Sequence, residues 1–586
     1  MPVRTPFSPR GLPNDPVFTH LVHAAAHENK PIIRDPLQKI EADYVRFLGD
    51  ILQYRLKISN VLPTEILDEN GMIKNNDNFI LLSAPSSYQF LVALFAILAV
   101  GGAAVLLRLF PESPQVQYKV LTDKLWILAP GSAPEEITAI AQKCNARAFA
   151  FAPDYQSAGK ATQISAKDTS GTEIPPIPIT LGENGSSADI RITTERNIRF
   201  PADRPALVQF TSGTTGSPKG VVHARTFFYH QVEVYFGCPM SETNGLQTLL
   251  GPDAVYLSYR SFHWGGGIRN ATAAILAGVC TEIYNHDATP GGIWERLRRG
   301  DVRFFICWAA MWTQMKAYYE ECLANLPQPM LEEYLHGARG LRLAKSDSNL
   351  LTPSVKRFWN DLGVSIGINY AATETSITMG KQRVSLEEID ERIIGVPLTG
   401  VSVKLSEGNH GEICVKTPLL FSQYIGEPEA TRAAFDKDGF YKTGDLGHFD
   451  GKQYIIDGRV TQDFIVFDGR RVPVIDVEES LMALPYVMEA YVLGIPDAEV
   501  MNRTAVLLRV KEGKRLTLQA LRTEMAGRLA KHKLPTLLRK LDASEAVPKT
   551  HSGKFDMRKA RSVFFPQSVE GDISDLPPEV EVWKLR

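Results

Sequence analysis

Ten residues of the sequence have the types and spacing of a phosphate-binding loop. Residues 211–220 read TSGTTGSPKG, with three glycines, five hydroxyl side chains and one lysine. Backbone N–H groups, hydroxyl donors and a mobile cation are the groups that bind phosphates. The loop is not a Walker A sequence, because Pro218 and Gly220 flank Lys219 where that motif has Gly before the lysine and Ser or Thr after it. The pattern favours a nucleotide bound by another scheme over a flexible polar turn.

Two further clusters contain groups that suit a nucleotide. Residues 370–376 read YAATETS, in which the Tyr370 ring could stack on a base, Thr373 could reach a phosphate and Glu374 could bind Mg²⁺ through hard carboxylate oxygens. Residues 441–445 read YKTGD, in which Asp445 could accept hydrogen bonds from both ribose hydroxyls. Alone, each cluster is more commonly a surface pair or a solvated turn.

Two basic positions follow near the end of the chain. Gly458-Arg459 stands where the sequence pattern changes, which is typical of a hinge between domains. Residues 548–555 read PKTHSGKF and place Lys554 on a glycine-containing loop. In isolation this would be an ordinary basic loop, so its meaning depends on the clusters before it.

These residues need a scaffold, and hydrophobic periodicity predicts an α/β one. Amphipathic helical stretches alternate with short apolar runs, the pattern of parallel sheets with flanking helices. The expected strands are 79–82, 103–107, 124–128, 148–152, 206–210 and 304–307, and a helix is expected over 221–232. The apolar run 90–107 is long enough for a membrane span. Because Gly101-Gly102 interrupts it, we expect a buried helix followed by a strand.

Composition and charge exclude several classes of protein. The 586 residues have 64 Lys and Arg against 66 Asp and Glu, a net charge of −2, with 44% hydrophobic residues. Such balance argues against nucleic acid as a partner, and the hydrophobic content excludes a disordered or fibrous chain. The six cysteines are widely spaced and show no CxxC pair. They are expected to be reduced thiols of a cytoplasmic protein.

Changes in composition and hydrophobic pattern along the chain predict its domain organisation. We expect a large domain over residues 1–457 and a small C-terminal domain over 458–561. The small domain should contain a strand at 464–467, a helix from about 476, a strand at 490–493 and a helix over 518–531. Residues 562–586 are rich in Asp, Glu and Pro, and we expect a loosely held acidic tail.

Taken together, in this order, the clusters resemble the adenylate-forming superfamily, which includes acyl-CoA synthetases, adenylation domains of nonribosomal peptide synthetases and luciferases. The resemblance spans roughly Pro16 to Arg561. The loop TSGTTGSPKG is similar to the family's phosphate loop, and YAATE is similar to its Tyr-Gly-x-Thr-Glu motif with Ala371 in place of glycine. The set is completed by the YKTGD segment, the hinge at Gly458-Arg459 and Lys554 near the end of the chain. The fold that the resemblance implies is an α/β domain of layered, mostly parallel sheets with a small mobile α+β domain.

The resemblance also implies a two-step reaction. A carboxylate attacks the α-phosphorus of ATP to give an acyl-adenylate and pyrophosphate; the small domain then turns, and a thiol attacks the activated carbonyl. Lys554 would neutralise charge in the first step, Thr373 would bind the α-phosphate and Glu374 would bind Mg²⁺. The remaining nucleotide ligands would be Thr211, Ser212, Gly213, Thr214, Thr215, Gly216 and Lys219 for the β- and γ-phosphates, Tyr370 for adenine, and Asp445 with Arg459 for ribose.

A second set of residues resembles the family's acyl pocket. His263, in SYRSFHWGGG, is similar to an aromatic-His motif at the mouth of that pocket, where it would gate the acid or the thiol. The glycines of residues 264–267 would open one wall, and Cys307, Trp308, Met311 and Trp312 resemble the opposite wall. Such a pocket suits an apolar acyl or aryl chain. The alternative is that these aromatic residues belong to the hydrophobic core.

Departures from the family's pattern limit the prediction of substrate. Asp347 and Ser348 stand where a Gly-Gly or Gly-Ala pair is usual beside the adenine, and Thr461 stands at a hinge position usually held by Lys or Asp. Asp347 could recognise a substrate amino group, although a solvated loop aspartate is the commoner case. These substitutions leave the choice of acid open.

The activity that the sequence predicts best is an AMP-forming acid:CoA ligase for a hydrophobic carboxylic acid, using ATP, Mg²⁺ and CoA. The nearest alternative transfers the acyl group to a carrier-protein phosphopantetheine, and a less favoured one adenylates an amino acid. An inactive nucleotide-binding scaffold and a membrane transporter are alternatives of different classes. The presence of residues suited to catalysis argues against an inactive scaffold. The apolar run 90–107 is the only feature that favours a membrane transporter.

Overall fold

The structure is a computed structural model. It describes residues 11–107, 134–152, 174–181, 192–211, 219–240, 250–285, 288–347, 351–383, 392–459, 464–468, 470–511, 513–542, 544–549, 555–566 and 573–585. The expected strand at 124–128 and the position of Thr461 lie outside these residues.

The described chain divides into two compact units. The first contains the described residues up to 403 and residues 415–441, and the second contains residues 404–414 and the described residues from 442 onward. The predicted large domain, small domain and hinge, with their boundaries at 457 and 561, stay predictions. Each unit is described separately below.

A mixed sheet in the first unit carries the phosphate-loop segment. Its described strands lie in the spatial order Gln423–Tyr424, Gly220–Ala224, Pro205–Phe210, Ala103–Leu106, Phe79–Ser83, Ala146–Phe151 and Pro176–Pro178. The pairings from Pro205–Phe210 onward are parallel, whereas Gly220–Ala224 is antiparallel to both of its neighbours. A short parallel pair, Leu12–Pro13 with Thr194–Glu195, lies apart from this sheet.

A second sheet of the first unit carries the YAATETS segment. Its described strands run in the order Ile393–Pro397, Ser376–Lys381, Gly367–Ala372, Leu343–Asp347, Val302–Trp308, Val255–Ser258, Cys280–Ile283, Ile33–Asp35 and Ile40–Ala42. The central pairings are parallel, and both ends of this order are closed by antiparallel hairpins. The ends of its parallel strands lie beside helix starts, the usual place for a site in such a sheet.

Helices flank both sheets of the first unit. The described ones are Pro16–His27, Tyr44–Val61, Tyr88–Ala99, Pro134–Lys143, Thr226–Phe236, Gly265–Leu276, Pro290–Arg298, Ala309–Tyr318, Gln328–Arg339, Pro353–Asp361 and Pro428–Ala434. Every residue of helix Tyr88–Ala99 except the half-buried Gln89 is buried, which explains why the rest of its sequence is apolar on all sides. These observations confirm the layered α/β architecture predicted from the sequence.

The second unit is built around its own sheet. Strands lie in the order Arg470–Pro473, Phe464–Phe467, Met501–Val510, Leu537–Lys540 and Val580–Val582, and the long strand Val487–Asp497 also pairs with Met501–Val510. The helices Val474–Met482, Leu518–Met525 and Met557–Phe564 accompany it. Strands Ser402–Glu407, His410–Lys416, Tyr441–Phe449 and Tyr454–Arg459 precede this sheet along the chain. The expected helix over 518–531 therefore ends six residues early, at Met525.

The apolar run 90–107 forms two buried elements, as the sequence predicts. Helix Tyr88–Ala99 ends before Gly101, whose φ of +80° reverses the chain into strand Ala103–Leu106. A Cβ atom on Gly101 would lie 2.4 Å from the Phe200 ring, so both the conformation and the space require glycine. Among the residues that the structure describes, no helix is both long and apolar enough to cross a membrane.

The prediction of a helix over 221–232 is wrong in its first part. Gly220–Ala224 is a completely buried strand, and the helix begins only at Thr226. Val221 and Val222 are β-branched and lie between two neighbouring strands, an environment that favours extended backbone over helix. The loop TSGTTGSPKG therefore connects two antiparallel strands and does not lead into a helix.

A segment of the predicted acidic tail pairs with the sheet of the second unit. Strand Val580–Val582 pairs with Leu537–Lys540, and the Trp583 N–H donates to the Thr536 carbonyl at 2.9 Å. The Arg522 guanidinium lies 4.0 Å from the centre of the Trp583 ring. Alternation of apolar and acidic residues in 580–583 supports a short edge strand, which composition alone does not reveal.

Candidate active site

A β-hairpin holds both ends of the phosphate loop. The Thr211 N–H donates to the Lys219 carbonyl at 2.9 Å, and the Lys219 N–H lies 3.3 Å from Thr211 Oγ1. A Cβ atom on Gly220 would lie 2.6 Å from the Ile425 side chain. Glycine at this position therefore lets strand Gln423–Tyr424 pair closely with strand Gly220–Ala224. The ends of the loop are thus fixed by the sheet. Ser212, Gly213, Thr214, Thr215 and Gly216 lie outside the described residues.

A second hairpin presents the YAATETS residues. Strands Gly367–Ala372 and Ser376–Lys381 pair as far as Ala372 and Ser376, which leaves Thr373, Glu374 and Thr375 in the turn. Ser376 has a φ of +63°, a left-handed conformation that tightens this turn. The Phe421 N–H fixes the turn from outside by donating to the Glu374 carbonyl at 2.8 Å. Tyr370, Thr373 and Glu374 are all half-buried.

Tyr424 joins the two hairpins, and sequence reasoning missed it. Its hydroxyl donates to Glu374 Oε1 at 2.8 Å, and Lys219 Nζ lies 4.8 Å from the centre of its ring. Burial and the Glu374 carboxylate both raise the pKa of Tyr424, so the phenol stays protonated and remains a donor. The structure therefore brings Lys219 and Glu374 to one side chain, with Lys219 over the Tyr424 ring and Glu374 at its hydroxyl.

We expect Tyr424→Phe to weaken nucleotide binding more than it affects stability. The ring would still stack on Lys219, but the Glu374 carboxylate would lose a hydrogen bond whose typical contribution corresponds to about 10-fold in affinity. The measurement is the dissociation constant of ATP. Tyr486→Phe is the matched control, because Tyr486 makes a similar 2.7 Å bond to Glu524 in the second unit. An equal loss of affinity in both variants would contradict this role for Tyr424.

Gln209 and His223 also approach the YAATETS turn. A Cβ atom placed on Gly265 would lie 3.8 Å from Gln209 Oε1 and 3.9 Å from Thr373 Oγ1, so these three residues surround one small space. His223 is completely buried, and burial lowers its pKa to about 4, with a further contribution from the Arg269 charge. The imidazole is therefore neutral at physiological pH.

His263 is held by contacts on two sides. Its Nδ1 lies 2.9 Å from Ser261 Oγ, and its ring meets the Phe90 ring edge to face with centroids 5.4 Å apart. The preceding Phe262 N–H donates to the buried Ser86 Oγ at 2.8 Å, which fixes this segment against the end of strand Phe79–Ser83. The histidine is half-buried and has a defined orientation, as a gating role would require.

The glycines after His263 differ from one another in what surrounds them. A Cβ atom on Gly267 would lie 2.0 Å from the Ser261 carbonyl oxygen, and one on Gly266 would lie 2.6 Å from Arg260 Nη1. Gly266 therefore leaves room for the Arg260 side chain, and Gly267 lets the start of the helix pack against the backbone of Ser261. Only Gly265 faces Gln209 and Thr373 and leaves space there. Space of the kind expected for a pocket wall is thus found at Gly265, and the role of the glycine run in an acyl pocket stays a prediction.

The opposite wall predicted for the pocket is also largely core. Cys307, Met311 and Trp312 are buried in a hydrophobic cluster with Trp359 and other aromatic residues. Trp308 is the exception, with 36% of its surface exposed. Adjacent strand residues point to opposite faces, which separates Trp308 from Cys307. The alternative that the tryptophans belong to the core therefore holds for Trp312 and not for Trp308.

Asp347 is not a solvated loop residue. It ends strand Leu343–Asp347, is only 3% exposed, and accepts hydrogen bonds from Arg260 Nη1 at 2.7 Å to each carboxylate oxygen. Arg269 Nη2 lies 3.3 Å from the same carboxylate. The Arg260 guanidinium in turn lies 5.1 Å from the centre of the Trp308 ring. A buried ionic cluster therefore occupies this position; Ser348 lies outside the described residues.

We expect Asp347→Asn to be strongly destabilising. The variant keeps the shape of the side chain but leaves two buried guanidinium groups without their carboxylate, a change that costs about 3–5 kcal/mol of unfolding free energy. Urea unfolding followed by tryptophan fluorescence would measure it. Asp361→Asn, at the exposed end of helix Pro353–Asp361, is the control and should change little. Equal stabilities of the two variants would contradict the assignment.

In the second unit, two of the predicted ribose ligands lie on paired strands. Asp445 and Arg459 are directly opposite in the antiparallel pair Tyr441–Phe449 and Tyr454–Arg459. Asp445 is buried, and its N–H donates to Thr443 Oγ1 at 3.0 Å. Lys554 lies outside the described residues, but its loop is closed by a bridge between Lys549 and Phe555. The roles of these residues stay predictions.

Two family models match the chain. The model described as AMP-binding enzyme matches residues 66–425, and the model described as AMP-binding enzyme C-terminal domain matches residues 476–554. The first match includes the phosphate loop, His263 and the YAATETS segment. The second ends at Lys554.

Curated relatives cover most of the chain. An acyl-CoA ligase of Aspergillus oryzae, oryP, is 32% identical over 95% of this chain and 93% of its own length. A malonate–CoA ligase of Arabidopsis thaliana is 27% identical over 82% of this chain and 76% of its own.

Solved structures show the same fold. ATP-bound MatB from Rhodopseudomonas palustris has a TM-score of 0.68 at 20% identity, covering 94% of this chain and 98% of MatB. The o-succinylbenzoate CoA synthetase MenE of Bacillus subtilis, in complex with its acyl-adenylate, has a TM-score of 0.68 at 17% identity, covering 94% of this chain and 99% of MenE. These similarities confirm the predicted fold class.

Proposed function

Because the chain belongs to the AMP-binding enzyme family, we propose that it is an ATP-dependent acyl-CoA ligase. A carboxylate of the substrate attacks the α-phosphorus of ATP, and the bond to the bridging oxygen breaks to release pyrophosphate. The CoA sulfur then attacks the acyl carbonyl and AMP leaves. The observation that carries the proposal is the match of both family models to a chain whose Lys219 and Glu374 meet at Tyr424.

Roles for the nucleotide ligands follow from this activity. Lys219, close to Tyr424, would bind the β- and γ-phosphates together with the loop that its hairpin supports. Thr373 would bind the α-phosphate from the adjacent turn, and Lys554 would neutralise the charge that develops there. The other proposed ligands are Thr211, Ser212, Gly213, Thr214, Thr215 and Gly216 for phosphate, Tyr370 for adenine, and Asp445 and Arg459 for ribose.

Glu374 fits the role of a Mg²⁺ ligand. Among the described residues, no group of three or more His, Cys, Asp or Glu side chains could hold a metal by itself. Mg²⁺ in nucleotide sites usually binds one or two carboxylates and the phosphates, so a single half-buried glutamate is a suitable donor. Tyr424 would orient the carboxylate. The ion would screen the negative charge of the phosphates.

His263 and Trp308 support an acyl site beside these groups. Trp308 offers exposed apolar surface for the carbon chain of a hydrophobic acid, and the buried Phe90 ring supports His263 from behind the site. Trp308 is joined to this region by Arg260, which precedes His263 by three residues. His263 would position the acid or the incoming thiol.

CoA is the proposed thiol acceptor. The relatives and structures reported above are named as CoA ligases and CoA synthetases, which favours CoA over a carrier-protein phosphopantetheine. We also propose that residues 458–459 form a hinge between the domains and that the protein is cytoplasmic.

The test is acid-dependent pyrophosphate release from ATP, measured with and without CoA over a panel of fatty, aryl and amino acids. We expect release that depends on acid and a CoA thioester as the final product. Release that stops at acyl-AMP in the presence of CoA would instead indicate a carrier-protein acceptor. No release with any acid would contradict ligase activity.

A further inference from the structure

Gln209 has a buried amide group without a hydrogen-bond partner. The residue lies on strand Pro205–Phe210 and is only 2% exposed. Among the residues that the structure describes, no group accepts a hydrogen bond from its Nε2. Because a buried donor without an acceptor is costly and rare in folded proteins, this arrangement indicates an acceptor supplied by a ligand.

The missing side chain of Gly265 leaves a space in front of this amide. A Cβ atom on Gly265 would lie 3.9 Å from Gln209 Nε2 and 3.9 Å from Thr373 Oγ1, which are ordinary van der Waals distances. The space therefore lies between the amide and the threonine hydroxyl. Gly265 and Thr373 are half-buried, so a ligand can reach the space from solvent. An oxygen atom bound there can accept hydrogen bonds from both side chains.

The register of three adjacent strands places Gln209 in line with Tyr424. Val221 is directly opposite Gln209 on one side and directly opposite Tyr424 on the other, so the three side chains lie on the same face of the sheet. Two strand spacings separate Gln209 from Tyr424 by about 10 Å. Tyr424 donates to Glu374, whereas Gln209 faces the preceding residue, Thr373. Each residue of this Thr-Glu turn therefore has its own partner on the sheet.

Another buried glutamine provides a comparison. Gln231 also has an Nε2 atom without a partner among the described residues. Its Oε1 accepts from Thr272 Oγ1 at 3.0 Å, and both residues are completely buried on neighbouring helices. Gln209 differs because its amide faces the half-buried residues Gly265 and Thr373. Access from solvent, and not burial alone, makes Gln209 a candidate ligand-binding residue.

We propose that Gln209 is a further catalytic residue, whose amide donates to the carboxylate oxygen that does not attack phosphorus. The inference rests on the proposed ligase function and adds a substrate contact to it. In the first step the bond orients the acid beside Thr373, the proposed α-phosphate ligand. In the second step the CoA thiol loses its proton to solvent and its sulfur bonds to the acyl carbon. The amide stabilises the negative charge that develops on the carbonyl oxygen until the bond to AMP breaks.

The position of Gln209 favours the acid over a phosphate as the source of the acceptor oxygen. Lys219, the cation of the phosphate loop, lies over the Tyr424 ring at the other end of the row of three side chains. Gly265 follows His263, the proposed gate for the acid, by two residues. A neutral amide also suits an oxygen that is the neutral carbonyl of the acyl-adenylate and gains charge only during thiol attack.

The test compares Gln209→Met with Gln231→Met, because methionine keeps the approximate volume of glutamine and removes the donor. In Gln209→Met, the acid concentration for half-maximal adenylation should rise about 10-fold, and the ATP concentration for half-maximal rate should not change. The single-turnover rate of thioester formation from a supplied acyl-adenylate should fall about 100-fold. Gln231→Met should keep all three values. A raised ATP requirement with an unchanged acid requirement would identify a phosphate oxygen as the acceptor and overturn the inference.

Gly265→Ala tests the same space without changing Gln209. The added Cβ atom would meet no atom closer than 3.8 Å, so the variant should fold and keep the Tm of the wild type. It would occupy the space proposed for the carboxylate oxygen, and adenylation should fall by about 100-fold. Gly527→Ala, at an exposed glycine with no atom near its Cβ position, is the control and should keep full activity. Full activity of Gly265→Ala would overturn the inference.

Binding supplies a readout that does not need turnover. Hexanoyl and benzoyl sulfamoyl adenosine carry the acyl carbonyl of an acyl-adenylate, whereas AMP has none. At least one of them should raise the Tm of wild type more than AMP does, and Gln209→Met should reduce that difference while Gln231→Met keeps it. Equal differences in wild type and Gln209→Met would overturn the inference and leave the ligase function standing. Silence with every acid would overturn the ligase function, and the Tm differences would still decide the role of Gln209.

Discussion

Lys554→Ala should lower the rate of acid-dependent pyrophosphate release by about 1,000-fold, because the variant removes the cation proposed to neutralise charge at the α-phosphate. Thioester formation from a supplied acyl-adenylate should fall much less, since no pyrophosphate leaves in that step. The measurement is a pair of single-turnover rates, one for each step, with the same acid.

Lys559→Ala is the matched control for Lys554→Ala. Lys559 is exposed on the helix that follows the Lys554 loop, so its loss changes the local charge equally without removing the proposed contact. It should keep both rates. Equal losses of both steps in Lys554→Ala would show that the residue supports the fold of its loop and has no special part in adenylation.

Glu374→Gln should reduce adenylation by roughly 100- to 1,000-fold, because it removes the carboxylate proposed to bind Mg²⁺ and breaks the charged hydrogen bond from Tyr424. The Mg²⁺ concentration needed for half-maximal rate should also rise. A titration of Mg²⁺ at fixed ATP measures both effects together.

Glu429→Gln controls for the loss of a negative charge near this segment. Glu429 is exposed at the start of helix Pro428–Ala434, five residues after Tyr424. Its substitution should change neither the rate nor the Mg²⁺ requirement. If Glu374→Gln lowered the rate without shifting the Mg²⁺ requirement, the metal-binding role would be wrong, and an effect through Tyr424 would explain the loss.

Local patterns predicted the elements of the fold that depend on their own residues. The run 90–107 contains the glycines that separate a helix from a strand, and the structure has both elements where the sequence places them. The segment 221–232 begins with two valines and then continues with helix-compatible residues. Its first part became a strand because neighbouring strands on both sides pair with it, and that partner information is absent from the segment itself.

Contacts between distant segments could not be predicted in the same way. Tyr424 reaches the site because its strand pairs with Val221, about 200 residues earlier in the chain. No motif marks Gln423–Tyr424 as a strand, and the Glu374 carboxylate that accepts from the phenol lies 50 residues earlier in the chain. A tyrosine shortly before Gly426 therefore carries no signal of its function.

The ionic cluster around Asp347 shows the same limit for buried charge. An aspartate after a strand is normally solvated, and the sequence does not reveal that Arg260 folds back under the glycine run to meet it. Within that run, Gly266 leaves room for the guanidinium. Asp347 is therefore buried because Arg260, from a separate segment, pairs with it, although its own segment alone indicates a solvated residue.

The most direct test of the account is the fate of the carboxylate oxygen. An acid labelled with ¹⁸O in its carboxylate is incubated with ATP, CoA and the protein, and the products are analysed by mass spectrometry. Attack on the α-phosphorus predicts one ¹⁸O atom in AMP and none in the released pyrophosphate. Label in inorganic phosphate, with ADP as the nucleotide product, would mean attack on the γ-phosphorus and would contradict acyl-adenylate formation.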